Sequence, residues 1–180
     1  MLFAAAHPES KMLLSSWRSI NGLENTKTYQ NMREKQADGI SARLFMAQRV
    51  AEGVFVFKTI GTELMDWTGR DLRDHEIGSL FFGADKVMMR ALLEASINAP
   101  GPAVARIAAF GSGVRQRCDI EMVLLPLIEK TGTTRILGLF TPLAANTNMP
   151  KPALRFTLTA LLPPDPSLVL RPNLKIVRSK

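Results

Sequence analysis

Apolar and polar residues alternate with a period of two through Arg43 to Ala51. Leu44, Met46, Gln48 and Val50 share one face there, and Phe45 and Ala47 share the other. Glu52-Gly53 makes a tight turn, and the alternation resumes through Val54 to Ile60, with Phe55 and Phe57 on one side and Val54, Val56 and Ile60 opposite. A period of two predicts strands, and apolar residues on both faces predict a sheet covered on both sides, by a helical crossover and by either an N-terminal helix or a second subunit. After Gly61 the period changes. Thr62 caps a short helix, Glu63 to Trp67, that Gly69 stops, and Leu72, Ile77, Leu80 and Phe81 anchor the loop beyond it. Met89, Leu92, Leu93 and Ile97 then recur at helical spacing. They predict a longer helix with one inward stripe, opening at Gly83-Ala84-Asp85 with Asp85 as N-cap and closing at Asn98-Ala-Pro-Gly-Pro102. Alternation returns in Ala103 to Phe110, Arg115 to Ile128 and Arg135 to Thr141. Gly111-Ser-Gly113 and Glu129-Lys-Thr-Gly132 join these runs into an antiparallel meander, with Pro126 marking an edge or a bulge.

The two ends of the chain read differently. Lys11 to Ile20 is amphipathic, with Met12, Leu13, Leu14, Trp17 and Ile20 on a broad apolar face stopped by Asn21-Gly22, and Asn31 to Gln36 reads as a second, polar helix ending at Gly39. From Asn146 prolines recur at 150, 152, 163, 164, 166 and 172, which predicts an extended tail. Two apolar pieces within it, Phe156 to Leu162 and Leu168 to Val177, offer the alternative of docking as strands. The organisation is therefore a helical cap over 1–39, a domain over 40–145 and a basic, proline-rich tail over 146–180.

Residues 40–145 resemble the PAS-type sensory domain of small, mostly alphaproteobacterial proteins, a family once filed as a domain of unknown function. The resemblance is carried by Gly61-Thr-Glu-Leu64, by Trp67-Thr-Gly-Arg-Asp-Leu72, by Leu80-Phe81, and by the hairpins of Val104 to Thr141 around Ile120-Glu-Met-Val-Leu-Leu-Pro-Leu127. It implies an α+β PAS fold: a five-stranded antiparallel sheet, a helical crossover on one face, an N-terminal helix and an extended C-terminal tail.

Composition narrows the class. With 46% hydrophobic residues the chain can build a packed core. No apolar run reaches the roughly 18 residues that a membrane helix needs, and the opening residues, broken by His7-Pro8-Glu9, do not read as a signal peptide. The single Cys118 excludes an internal disulfide and fits a reducing cytoplasm. Net charge is +7, yet residues 41–145 are close to balanced. The excess gathers in the tail, where Lys151, Arg155, Arg171, Lys175, Arg178 and Lys180 face only Asp165. Such a tail touches acidic partners, lipid or nucleic acid without specificity, or stays solvated.

Side chains suited to catalysis are sparse. Cys118 lies on a strand between Arg117 and Asp119 without a base beside it, and reads as a small half-buried residue. Asp71, Asp74, His75 and Glu76 cluster in sequence but read as a solvated loop rather than a metal site. Gly111-Ser-Gly113 lacks the third glycine and following helix of a nucleotide loop. Asp119 and Glu121 share a strand face with nothing reactive converging on them. The resemblance implies two prosthetic groups to check. Light-sensing relatives attach flavin through a crossover cysteine, and no cysteine lies between Gly61 and Ile97. Haem-binding relatives use a histidine of the long helix, and Asp85 to Ile97 has none, with His75 placed off that helix. Neither haem nor flavin is supported.

A pocket is the remaining candidate, and the resemblance places it between the sheet's inner face and the crossover. Met65, Trp67, Leu80, Phe82, Met88, Met89, Leu92, Ile107, Met122 and Leu139 either line a cavity for an unknown small ligand or fill an ordinary core, and methionine suits both. Arg70 and Arg73 beside it are candidate anion contacts, or solvated side chains. The resemblance therefore implies a non-enzymatic PAS sensory or adaptor protein of bacterial signalling. It would act in the cytoplasm through its N-terminal helix and exposed sheet face, on a partner such as a histidine kinase or regulator, and form a homodimer. No specific nucleic-acid contact is expected. The alternative is a small-molecule binding protein built on the methionine-rich pocket.

Overall fold

The computed structural model describes residues 5–19, 39–113, 116–128, 134–144 and 149–165. Helix α1 (Pro8–Ser19) comes first, and after a 3-10 turn (Ser41–Arg43) the chain forms the hairpin β1 (Leu44–Ala51) and β2 (Val54–Ile60). The crossover follows: α2 (Thr62–Thr68), a 3-10 turn (Ile77–Leu80) and α3 (Gly83–Asn98). The remaining strands are β3 (Ala103–Phe110), β4 (Arg117–Ile128), β5 (Thr134–Pro142) and β6 (Arg155–Leu162). All pair antiparallel in one six-stranded sheet of order β2-β1-β5-β4-β3-β6.

The expected sheet had five strands. The sixth comes from the proline-rich end, where the piece Phe156 to Leu162 takes the docked alternative and pairs with β3 from Phe110↔Arg155 to Val104↔Leu162. Three backbone N–H groups fasten it. Ala153 donates to the Trp67 carbonyl at 2.6 Å, Leu154 to the Phe110 carbonyl at 2.8 Å, and Leu158 to the Asp85 carboxylate at 3.0 Å. Asp85 is thus engaged with β6 rather than capping α3, whose N-cap is Phe82, and α2 likewise starts from Gly61 with no side-chain cap. Pro126 sits inside β4 opposite Ile136, past the point where β3 pairing ends at Ala103↔Leu124, so its missing N–H costs no bond to β3.

Two cores lie on the two faces. On the inner face Phe45, Phe55, Phe57, Ile107, Ile120, Met122 and Phe140 meet the crossover through Leu64, Trp67, Leu72, Leu80, Met89, Leu92 and Leu93. On the outer face Leu44, Met46, Val123, Leu125, Leu137 and Leu139 meet α1 through Leu13, Leu14 and Trp17. The α1 stripe falls at Ser10, Leu13, Leu14 and Trp17, the helical spacing i, i+3, i+4, i+7. The sheet face expected to be exposed is therefore covered by the N-terminal helix. Trp17 donates its indole N–H to the Pro126 carbonyl at 3.1 Å, and the buried carboxylate of Glu121 accepts the N–H groups of Ala6 (2.7 Å) and His7 (3.1 Å) just ahead of α1. The second N-terminal helix, the Glu129-to-Gly132 turn and the Leu168-to-Val177 piece lie outside the described residues. Among the described residues no helix is long and apolar enough to cross a membrane.

Candidate functional site: the crossover and its C-terminal wall

The WTGRDL segment builds the site. Trp67 is buried in the inner core, and the Thr68 hydroxyl donates within its own turn to the Leu64 carbonyl at 3.0 Å. Gly69 takes φ 66°, the left-handed conformation that ends a helix and that a side chain resists. A Cβ there would also lie 3.1 Å from Pro152, so the turn and the C-terminal segment meet closely. Leu72 is buried and anchors the loop, while Asp71 and Arg73 pair on the surface through Nε and both carboxylate and backbone contacts.

This contact leaves an open cavity of about 250 Å³. Thr68, Arg70, Ser79, Leu80 and Phe82 form the crossover wall, and Ala153, Leu154 and Phe156 form the other. It is an amphipathic site, with a guanidinium, two hydroxyls and other polar surface beside the carbon of Leu80, Phe82, Leu154 and Phe156. Leu80, Phe82 and Arg70, which the sequence offered as candidates, lie along this cavity. Thr68, Ser79 and the whole C-terminal wall were not among those candidates. The available signal was the alternation beginning at Phe156, which marks a strand and hence a segment returning to the sheet.

The remaining expected pocket residues separate. Trp67, Met89, Leu92, Ile107 and Met122 come together in the inner core, with Met65 half-buried at the crossover. Leu139 does not join them. On β5 the inward positions are Ile136 and Phe140, with Gly138 between, so Leu139 and Leu137 project into the outer core beneath α1. Phe82 is 67% exposed, because its extended backbone precedes the first turn of α3 and carries the ring to the cavity mouth rather than inward. Met88 is 42% exposed, turned outward by its one-residue step from buried Met89.

The charged loop resolves into separate pairs. Lys58 holds Asp74 at 2.6 Å, and Arg90 and Lys86 hold Glu76 at 2.6 and 3.4 Å. The Arg73 guanidinium and N–H hold the Asp71 carboxyl down at about 2, and hydrogen bonding from Arg90 lowers that of Glu76 despite partial burial. Arg73 is thus committed to Asp71, whereas Arg70 has no carboxylate partner among the described residues. No cluster of three or more metal-ligating side chains forms among the described residues. Cys118 is fully buried on the inner face of β4, and burial raises its thiol pKa, so it is not an activated nucleophile.

A further surface escaped the sequence reading. Ala84, Val87, Met88 and Ala91 fall at i, i+3, i+4 and i+7 on the outward side of α3, all exposed. The helix is apolar outside because its charges face the domain: Asp85 on Leu158, Lys86 and Arg90 on Glu76, and Glu94 on Arg49 at 2.7 Å and on the Gly53 N–H at 2.7 Å.

Comparison with known proteins agrees with this architecture. A family model described as a PAS domain matches residues 5–141, a span that includes α1, the crossover and the meander. No curated protein matches the chain closely enough to add a more specific role. With a matching span of this extent and a crossover-on-sheet architecture to go with it, the chain belongs to the PAS domain family, a class with sensory and signalling roles.

Proposed function

We propose that this protein is a non-enzymatic sensory adaptor of bacterial signal transduction. It works in the cytoplasm without haem or flavin and passes its state on by touching a signalling protein such as a histidine kinase or regulator. The observation that carries this reading is the outward stripe of α3. Val87 is 67% exposed and Met88 42%, on a helix whose every charge is used inside the domain. Exposed apolar carbon flanked by no free charge favours a protein surface over water. The α1 face is already occupied by the sheet, which leaves α3 as the better contact.

The test is pairwise interaction with the histidine kinases and response regulators of the host, comparing the wild type with Val87→Glu and Met88→Glu. Both positions are exposed, so the fold tolerates the charge. Binding by the wild type that either variant abolishes supports the reading. A wild type that engages none of them, or variants that bind as well, overturns it. Sedimentation of the same three proteins shows whether a homodimer uses the stripe instead.

The small-ligand alternative rests on the cavity beside Arg70, since an amphipathic concavity is what a small-molecule site requires.

A further inference from the structure

The cavity between the crossover and the C-terminal wall has a composition that narrows its ligand. From Arg43 to Arg90 the cations Arg43, Arg49, Lys58, Arg73, Lys86 and Arg90 each hold a carboxylate. Arg70 holds none among the described residues, and Arg70 is the one that lines the cavity. The hydroxyls there do not compete for an anion. Ser79 Oγ donates its proton to the Glu76 carbonyl at 2.7 Å, and Thr68 Oγ1 donates to backbone carbonyls at 3.0 to 3.3 Å. Beside Arg70 on the crossover wall the lining adds the side chains of Leu80 and Phe82, and the other wall adds those of Leu154 and Phe156.

We propose that this cavity binds a small organic carboxylate with an apolar body, its carboxylate on the Arg70 guanidinium and its body between Phe82 and Leu154. A planar guanidinium matches a carboxylate with two parallel hydrogen bonds. A single cation in the lining suits a monoanion. A phosphate would need more donors than this lining offers. Size sets a further limit: about 250 Å³ holds about eight water-sized groups at roughly 30 Å³ each. Acids of the size of phenylacetate or 4-methylpentanoate meet both requirements.

The site also explains how binding would be felt. One wall belongs to the crossover and the other to the segment that leads into β6, so a ligand spanning both fastens that segment to the domain. The inference rests on the sensory reading for its purpose, while the binding itself rests on the cavity. It lies partly outside the family span, since Ala153, Leu154 and Phe156 follow residue 141.

The test is a titration of the isotope-labelled full chain, followed by NMR. Phenylacetate and 4-methylpentanoate serve as probes, with phenylacetamide and inorganic phosphate as controls. We expect the two acids at millimolar concentration to shift the signals of Arg70, Ser79, Leu80 and Leu154, and to slow hydrogen exchange at the Ala153, Leu154 and Leu158 amides. Arg70→Gln, at an exposed position, should weaken both acids about tenfold or more while the fold is kept. No shift with either acid, an equal response to phenylacetamide, a response to phosphate alone, or unchanged affinity in Arg70→Gln overturns the proposal. Val87→Glu should leave acid binding intact, and Arg70→Gln without ligand should leave partner binding intact. Failure of the carboxylate site is thereby distinguishable from failure of the adaptor reading.

Discussion

Phe45 on β1 lays its ring across the bare Cα of Gly138, its cross-strand partner on β5. Any Cβ at Gly138 would overlap that ring, and the ring has nowhere to retreat. Phe57 stands edge-on at 5.2 Å and Phe140 at 5.5 Å. Gly138→Ala should therefore destabilise the domain by about 1–3 kcal/mol or more, the range for overpacking a filled core. Urea denaturation measures the loss. Adding Phe45→Leu should recover part of it, and a double-mutant cycle with no coupling would remove the explanation.

Glu121 fastens the start of α1 from beneath. Its carboxylate, 0% exposed, takes the N–H groups of Ala6 and His7, and Arg106 approaches from β3 at 3.9 Å. Glu121→Ala leaves those donors without their acceptor. A loss of about 3–6 kcal/mol is expected, given roughly 1.5–3 kcal/mol for each of the two hydrogen bonds to a charged group. Limited proteolysis should then cut within 5–19 before any other described segment. Equal protection of α1 in the variant would show that its apolar stripe suffices.

Asp71 and Arg73 supply a pH signature. Hydrogen bonds from Arg73 depress the Asp71 carboxyl from 3.8 to about 2 in the folded chain. A depressed carboxylate contributes stability above its unfolded value and loses it as pH falls through the folded one, here between about 3.8 and 2. The pair is exposed, so the contribution is small and fades with salt. A carboxyl NMR titration should give about 2 for the wild type, and Arg73→Gln should return Asp71 towards 3.8. No change in the variant would show that the pair does not persist in solution.

Phe156 joins β6 to the crossover, its ring 6.4 Å from that of Phe81. Phe156→Ala removes a buried aromatic and should cost about 3–5 kcal/mol. Deleting residues 149–180 should be worse, because it also bares the β3 edge to other strands. Aggregation of the truncated chain, followed by light scattering, is the expected outcome. A truncated chain as stable as the full one would make β6 a dispensable addition.

Much of this fold was legible in the sequence because the strands follow one simple period. β2 and β3 have the expected bounds, and the face assignments of Leu44, Met46, Phe45 and Ala47 hold, but Ile60, expected opposite Phe55 and Phe57, packs against the same inner core as they do. Leu139 shows where pattern reading fails: both faces of β5 are apolar, so composition does not say which face is inward, and one step along a strand moves a side chain from one core to the other. Met88 fails for the corresponding helical reason, since a residue beside Met89 turns about 100° away. The Pro-rich end left β6 open between extended tail and docked strand, because extension alone does not say whether a strand partner is available. The cavity was left undetermined with it, since three of its lining residues come from that end.

The bond from Ala6 to Glu121 spans 115 residues. Chains leave the ribosome at about 5–20 residues per second, so on the order of 6 to 20 seconds separate the making of the first partner from the second. Throughout that interval Leu13, Leu14 and Trp17 have been synthesised while the strands that cover them, β4 and β5, have not. The second edge of β1 waits as well, because β1 pairs with β5 besides β2. Folding of the sheet is therefore a late event in synthesis, and α1 is among the last of the described elements to find its place. Until then the apolar stripe of α1 is left without its cover.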